Sequence, residues 1–220
     1  LAQQNLSQKL SDIYQCLLDK YGPQHWWPAE SRFEMMTGAV LTQSAAWINV
    51  EKAISRLKEA GLLSPEAIMK ADEDALAEAI RPSGYFNVKT RKLKALAAWL
   101  MAGYNGQADK MLTAETDALR QELLGVWGIG EETADSILLY ACGKPVFVID
   151  AYTRRIFSRL GLAERDAGYD RLQRLFTANL AADAAVFNEY HALIVRHAKE
   201  HCRVKPVCQG CVLKTICGFN

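Results

Sequence analysis

Apolar residues recur every three or four positions along nearly the whole chain and almost nowhere alternate. In "LSQKLSDIYQCLLDKY", Leu6, Leu10, Ile13 and Leu17 mark one helical stripe, which stops before Gly22-Pro23. The segment "SRFEMMTGAVLTQSAAWINVEKAISRLKEA" carries one or two helices ending at Gly61. "SPEAIMKAD" and "DEDALAEAI" read as short capped helices, the first with Ser64 as N-cap and Pro65 at the first helical position. After the turn "RPSGYFN" a helix runs from about Val88 to Met101. "TAETDALRQELLGV" and "ETADSILLYACG" form a pair around two glycines. "DAYTRRIFSRLGL", "GYDRLQRLFTANLA" and "DAAVFNEYHALIVRHAKEH" complete the helices, about ten in all. Only Val146 to Ile149 looks β-like, and so short a run between helices reads better as an extended connector. The pattern predicts an all-α fold with a cysteine-bound loop at its C-terminus.

Composition refines this picture little. The chain has 220 residues, half of them hydrophobic, which suffices for one large domain or two small ones. No run approaches the roughly 20 apolar residues that span a bilayer, and no signal-peptide pattern opens the sequence. A cytoplasmic, monomeric protein without a membrane partner is expected. A formal net charge of +1 announces no nucleic acid. Local charge says more: Arg81, Lys89, Arg91, Lys92 and Lys94 form a basic run without an acid, and Arg154, Arg155 and Arg159 form a second. Each run alone is as readily a solvated face as a binding face.

Cysteine usage changes the picture most. Cys16 and Cys142 stand alone, whereas Cys202, Cys208, Cys211 and Cys217 crowd the spacing C-x5-C-x2-C-x5-C. Four thiols so close together read as a metal or cluster site and not as disulfides. A single C-x2-C pair with one cysteine on either side favours a [4Fe–4S] cluster, with tetrahedral zinc as the alternative. His197 and His201, one helical turn apart, are possible ligands, but with four cysteines present a polar helix face accounts for them.

The other singular stretch is "LLGVWGIGEETADSIL". Gly128 and Gly130 form a hairpin that opens a helix, where backbone N–H groups and the helix dipole favour an anion. Two acids, Glu131 and Glu132, follow at once.

Together with "VFVIDAYTRRIFSRLG" and the cysteine loop, this hairpin resembles, in order and spacing, the endonuclease III (HhH-GPD) superfamily of helix-hairpin-helix DNA glycosylases. The resemblance covers nearly the whole chain. "HWWPAESRFEMMTGAVLTQSAAWINVEKAI" and "IRPSGYFNVKTRKL" are closest to the 3-methyladenine DNA glycosylase III group, so the chain looks like a cluster-bearing relative of it.

The resemblance implies a two-lobed fold: residues 24–135 as a six-helix barrel including the hairpin, residues 1–23 plus 136–220 as the iron–sulfur domain. It implies double-stranded DNA containing damaged bases as partner. Asp150 becomes the catalytic carboxylate, compatible with capping the following helix. Burial beside Val146–Ile149 would raise its pKa and the helix N-terminus would lower it, an opposition that sequence leaves open. Lyases of the family carry a Schiff-base lysine two residues after the second hairpin glycine. Glu132 stands there, which implies a monofunctional glycosylase leaving an intact abasic site.

Trp26, Trp27, Pro28 and Trp47, with Glu132, are the implied base pocket, against core packing as the plain alternative for the tryptophans. Gln43 matches the residue that fills the gap left by an everted base, and Tyr85 matches a wedge in the opposite strand. A helix-surface glutamine and a packed turn tyrosine are the alternatives. Lys89, Arg91, Gly128, Gly130 and Thr133 complete the implied DNA contacts. The expected reaction is removal of alkylated purines such as 3-methyladenine. An adenine or thymine mismatch glycosylase, a bifunctional glycosylase/AP lyase and a non-catalytic iron–sulfur DNA-binding module are the alternatives.

Overall fold

A computed structural model describes residues 2–219, with side chains from 6 to 219. Eleven α-helices and no strand occur among the described residues. In chain order they are α1 (Ala2–Tyr21), α2 (Arg32–Leu41), α3 (Trp47–Glu59), α4 (Pro65–Lys70), α5 (Glu73–Ile80) and α6 (Phe86–Tyr104). There follow α7 (Thr116–Leu124), α8 (Glu131–Ser136), α9 (Ala151–Arg159), α10 (Tyr169–Thr177) and α11 (Ala184–Glu200). No described helix is long and apolar enough to cross a membrane. Side-chain caps fix several starts: Ser31, Ser64, Asp72, Asp150 and Asp183 each accept from a backbone N–H in the following turn. Such a cap stabilises its helix by about 1 kcal/mol.

The chain divides into two compact units, Trp27–Lys144 and Leu1–Trp26 with Pro145–Asn220. The first, the hairpin unit, holds α2 to α8. Residues 136–144 belong to it, past the boundary expected at 135, because α8 runs on as a π-helical turn, Ile137–Ala141, that packs on α2. The long segment from Ser31 to Ala60 is two helices, broken by a turn in which Ser44 takes a left-handed φ of 54°. The hairpin helices are joined by a buried bidentate pair. Arg120 of α7 donates from Nε to Asp135 Oδ1 (2.7 Å) and from Nη2 to Oδ2 (3.1 Å), and the Asp135 side chain is 0% exposed. Removing one partner of such a pair strands a buried charge and typically costs about 3–5 kcal/mol.

The terminal unit packs α1 on α11 and α9 on α11. Leu10, Ile13 and Leu17 of α1 are buried, as their spacing predicts. Phe147 stacks on Phe176 at 3.7 Å between centroids, with Phe157, Phe187 and Tyr190 edge-on around them. Val146–Ile149 is an extended, buried connector. Helix α10 and its first residue satisfy its backbone: Gln173 Nε2 donates to Phe147 O (2.9 Å), and Ile149 N–H donates to the Tyr169 hydroxyl (3.3 Å). This connector delivers Asp150 to the start of α9.

Candidate active site

Asp150 is held from two sides within the terminal unit. Its Oδ1 accepts from Thr153 N (2.6 Å) and caps α9, while Oδ2 lies 3.5 Å from His191 Nε2 on α11. Its side chain is 12% exposed. Burial pushes the carboxyl pKa up, but the His191 ring and the Thr153 hydrogen bonds outweigh it, and the net shift is downward from 3.8. The carboxylate is therefore ionised at neutral pH. His191 escaped sequence reasoning; it sits in the apolar stretch "HALIV" of α11 and carries no motif of its own.

The hairpin glycines differ. Gly128 has φ +85°, and a Cβ there would fall 2.5 Å from Lys92 Cγ. Gly130 is extended, with φ −100° and ψ −179°, and a Cβ would meet nothing within 4 Å. Conformation requires glycine only at the first position; at the second, the missing Cβ leaves open space before the first turn of α8. No side chain caps that turn. Glu131 and Glu132 are both exposed on it.

Around the hairpin the implied DNA contacts separate. Gln43 Nε2 donates to Gly128 O (3.2 Å) and Thr133 Oγ1 (2.9 Å), and Lys92 Nζ donates to Gln43 Oε1. Gln43 is thus half-buried against the hairpin and not a loose surface residue. Thr133 is buried, and its hydroxyl faces Gln43, so its side chain is not a DNA contact; the third residue of α8 points inward. Lys92, which the sequence placed only within a basic run, supports both Gly128 and Gln43.

Along α6 the expectation for Lys89 fails. The residue lies on the buried side of the helix and is 2% exposed. Burial, then the nearby Lys92 charge, lowers its pKa to about 8. It is no phosphate contact. Arg91 does face outward, its guanidinium 5.3 Å from the ring centroid of Trp127, which is 53% exposed beside Gly128. A stack of this kind contributes about 0.5–1 kcal/mol. Tyr85 precedes α6 in a left-handed conformation, φ 47°, with its ring 72% exposed. A bulky residue held there is strained and outward-facing.

The aromatics form a cluster in the hairpin unit. Trp27 meets Trp47 edge-on at 4.8 Å and Tyr140 at 5.5 Å, both between centroids. Gly38 makes room for this: a Cβ on it would approach Trp27 Cζ2 to 3.1 Å. Tyr140 lies on the π-helical turn and was not singled out from sequence. Pro28 is exposed, and Trp26 belongs to the terminal unit.

Cys202, Cys208, Cys211 and Cys217 all line one cavity, together with Arg159, His197 and Leu213. Arg159 Nη1 donates to Cys202 Sγ (3.3 Å) and to Arg203 O (2.6 Å), and Nη2 donates to Val204 O (2.9 Å). Arg155 Nε donates to Cys202 O (2.7 Å). The second basic run is therefore half-buried and engaged with backbone: two of its arginines hold the cysteine loop, and Arg154 donates to Ala167 O. His197 is buried between the Tyr21 hydroxyl (2.9 Å) and Cys211 Sγ (3.5 Å), and burial pulls its pKa to about 4. It is a packed neutral imidazole, not part of a polar face. Among the described residues no three His, Cys, Asp or Glu side chains stand grouped around a single-ion position.

A capped carboxylate after a buried connector, a glycine hairpin between two helices and a four-thiol loop define a class, and comparison with known proteins gives its family. Residues 37–181 match the HhH-GPD superfamily base excision DNA repair proteins. The chain belongs to this superfamily and is a DNA glycosylase of base excision repair. A provisionally named DNA repair glycosylase of Methanocaldococcus jannaschii is 47% identical over 216 residues, covering 97% of this chain and 98% of its own. Endonuclease III of Sulfolobus acidocaldarius is 29% identical, covering 85% and 82%. The structure of H. pylori 3-methyladenine DNA glycosylase bound to 1,N6-ethenoadenine is 30% identical with a TM-score of 0.72, covering 90% and 97%. A non-covalent endonuclease III–DNA complex shares the fold, with a TM-score of 0.83 at 22% identity, covering 96% and 95%.

Proposed function

We propose that the chain is a monofunctional glycosylase that removes alkylated purines, 3-methyladenine foremost, from double-stranded DNA. The observation that carries this reading is Glu132. It occupies the first turn of α8 where lyases of the family hold their lysine, and a carboxylate forms no imine with the sugar. The product is then an abasic site in an unbroken strand.

In the proposed reaction the N-glycosidic bond breaks and its electron pair leaves with the base. The sugar gains oxocarbenium character, and Asp150 stabilises that charge because His191 and Thr153 keep it ionised. Water then adds to the anomeric carbon and releases a proton. A purine alkylated at N3 is cationic and departs as a neutral base, so it needs little help from an acid. The electron-rich rings of Trp27, Trp47 and Tyr140 suit such a base, by about 0.5–2 kcal/mol for each cation–π contact. The ethenoadenine bound to the H. pylori relative supports the same substrate class. Trp26, Pro28 and Glu132 remain candidates for the pocket wall.

DNA contact falls to the hairpin backbone at Gly128 and Gly130, to Arg91, to the Tyr85 wedge and to Gln43. The all-thiol set around one cavity suits a [4Fe–4S] cluster held by Cys202, Cys208, Cys211 and Cys217, with zinc the alternative. Such a group would tie the loop together, and the exposed Arg203, Lys205 and Lys214 of that loop would be open to DNA.

The test is incubation with duplexes carrying 3-methyladenine, an oxidised pyrimidine or a mismatch, followed by separate assays for free base and for strand breaks. Free alkylated purine with intact strands is expected, and Asp150→Asn should slow release by about 10³-fold or more. Nicking without added alkali would overturn the monofunctional reading; release only from the mismatch would overturn the substrate. A brown protein whose visible absorbance is lost on oxidation identifies iron, and a colourless one zinc.

A further inference from the structure

We propose that the buried ammonium of Lys89 is a positioning residue that fixes the spacing between the Gln43 turn and the Tyr85 turn. Lys89 Nζ donates to Leu41 O and to Ser83 O, each at 2.7 Å. Leu41 ends α2 two residues before Gln43, and Ser83 closes a short 3₁₀ turn two residues before Tyr85. Both carbonyls lie at helical ends, where intrahelical donors run out. One side chain therefore supplies the missing donor at the root of each loop.

Packing alone does not call for a lysine here. The other residues of α6 on its buried face are Thr90 and the apolar Leu93, Leu96, Ala97 and Leu100, and methionine would suit such a face without burying a charge. What methionine lacks is the pair of donors. The loops need them, because each contains a non-glycine residue in the left-handed region, Ser44 at φ 54° and Tyr85 at φ 47°. Such conformations persist only where the surroundings impose them. The same helix reaches the first loop a second time, through the hydrogen bond from Lys92 to the Gln43 side chain. Helix α6 thus carries the wedge at its start and, from one face, braces the backbone and side chain of the other probe.

This inference rests on the proposed roles of Gln43 and Tyr85 in base flipping, and a two-part experiment separates the two. The first part places 2-aminopurine opposite the lesion, where its fluorescence rises when insertion unstacks it. The second compares single-turnover release from a paired lesion with release from the same lesion opposite a gap, where little flipping energy is needed.

In Lys89→Met the fluorescence rise should be lost, and release from the paired lesion should slow about 10-fold or more. Release opposite the gap should change by about twofold or less, and adding Tyr85→Ala should produce little further loss. Equal slowing on both substrates, or full additivity with Tyr85→Ala, would overturn the proposal. Thermal melting checks folding; Lys89→Gln, too short to serve both carbonyls, gives the same comparison if the methionine variant does not fold. Should the wild type release no alkylated base, the substrate reading fails alone, because the fluorescence rise and its dependence on Lys89 still decide the positioning role.

Discussion

Asp150 caps α9 with one oxygen and meets His191 with the other. The cap was legible as a role compatible with catalysis, since an aspartate directly before "AYTRRIF" can accept from the first N–H groups of a helix. Its ionisation was not legible, because the deciding ring comes from α11, far along the chain, and no local pattern links the two. The sign follows from that partner. Desolvation alone would raise the pKa, so removing the ring removes the largest opposing influence. His191→Asn should therefore shift the acid limb of the excision rate to higher pH, with the plateau near neutrality reduced less than by Asp150→Asn. A pH–rate profile checks this, and an unmoved limb would show that His191 does not set the charge of Asp150. The depressed pKa has a stability counterpart. Its contribution is present above the unfolded value and is lost as pH falls through the folded value, below 3.8. Lys89 teaches the reverse lesson: in the linear sequence it is one of five basic residues, and only the register of α6 reveals that it points inward.

At the scale of elements, the hairpin pair was legible as two helices around two glycines, but the glycines' separate duties were not. Gly128→Ala forces a side chain into a left-handed backbone and onto Lys92, so it should destabilise the fold and disturb Gln43 with it. Gly130→Ala meets no protein atom, so its melting temperature should stay near wild type while duplex affinity falls severalfold. Paired measurements of melting and of binding to undamaged duplex separate the two. Equal binding by Gly130→Ala and wild type would remove phosphate from the open space above α8. Helix α9 shows what composition conceals. Its three arginines read as a basic face, yet each donates to a backbone carbonyl, and two of them form the seat of the cysteine loop. Guanidinium groups near helix and loop carbonyls have that second use, and charge counting does not distinguish it.

Over the whole molecule, the middle of the chain builds one unit and the two ends build the other. The helical period made the all-α class legible, and the cysteine spacing made the loop legible; the loop's four thiols do line one cavity. Less legible was everything set by pairing of distant helices: Tyr140 beside Trp27, His191 beside Asp150, Lys92 under Gly128. One of these unforeseen placements has a practical use. Of the five tryptophans, Trp127 alone is exposed, and it stands at the hairpin. Iodide should quench its red-edge emission in the free protein, and a bound duplex should shield it. Trp127→Phe should abolish the shielded component. Unchanged quenching with DNA bound would place the duplex elsewhere. The protein carries its own dye beside the turn proposed to grip the backbone, so docking can be timed without any label.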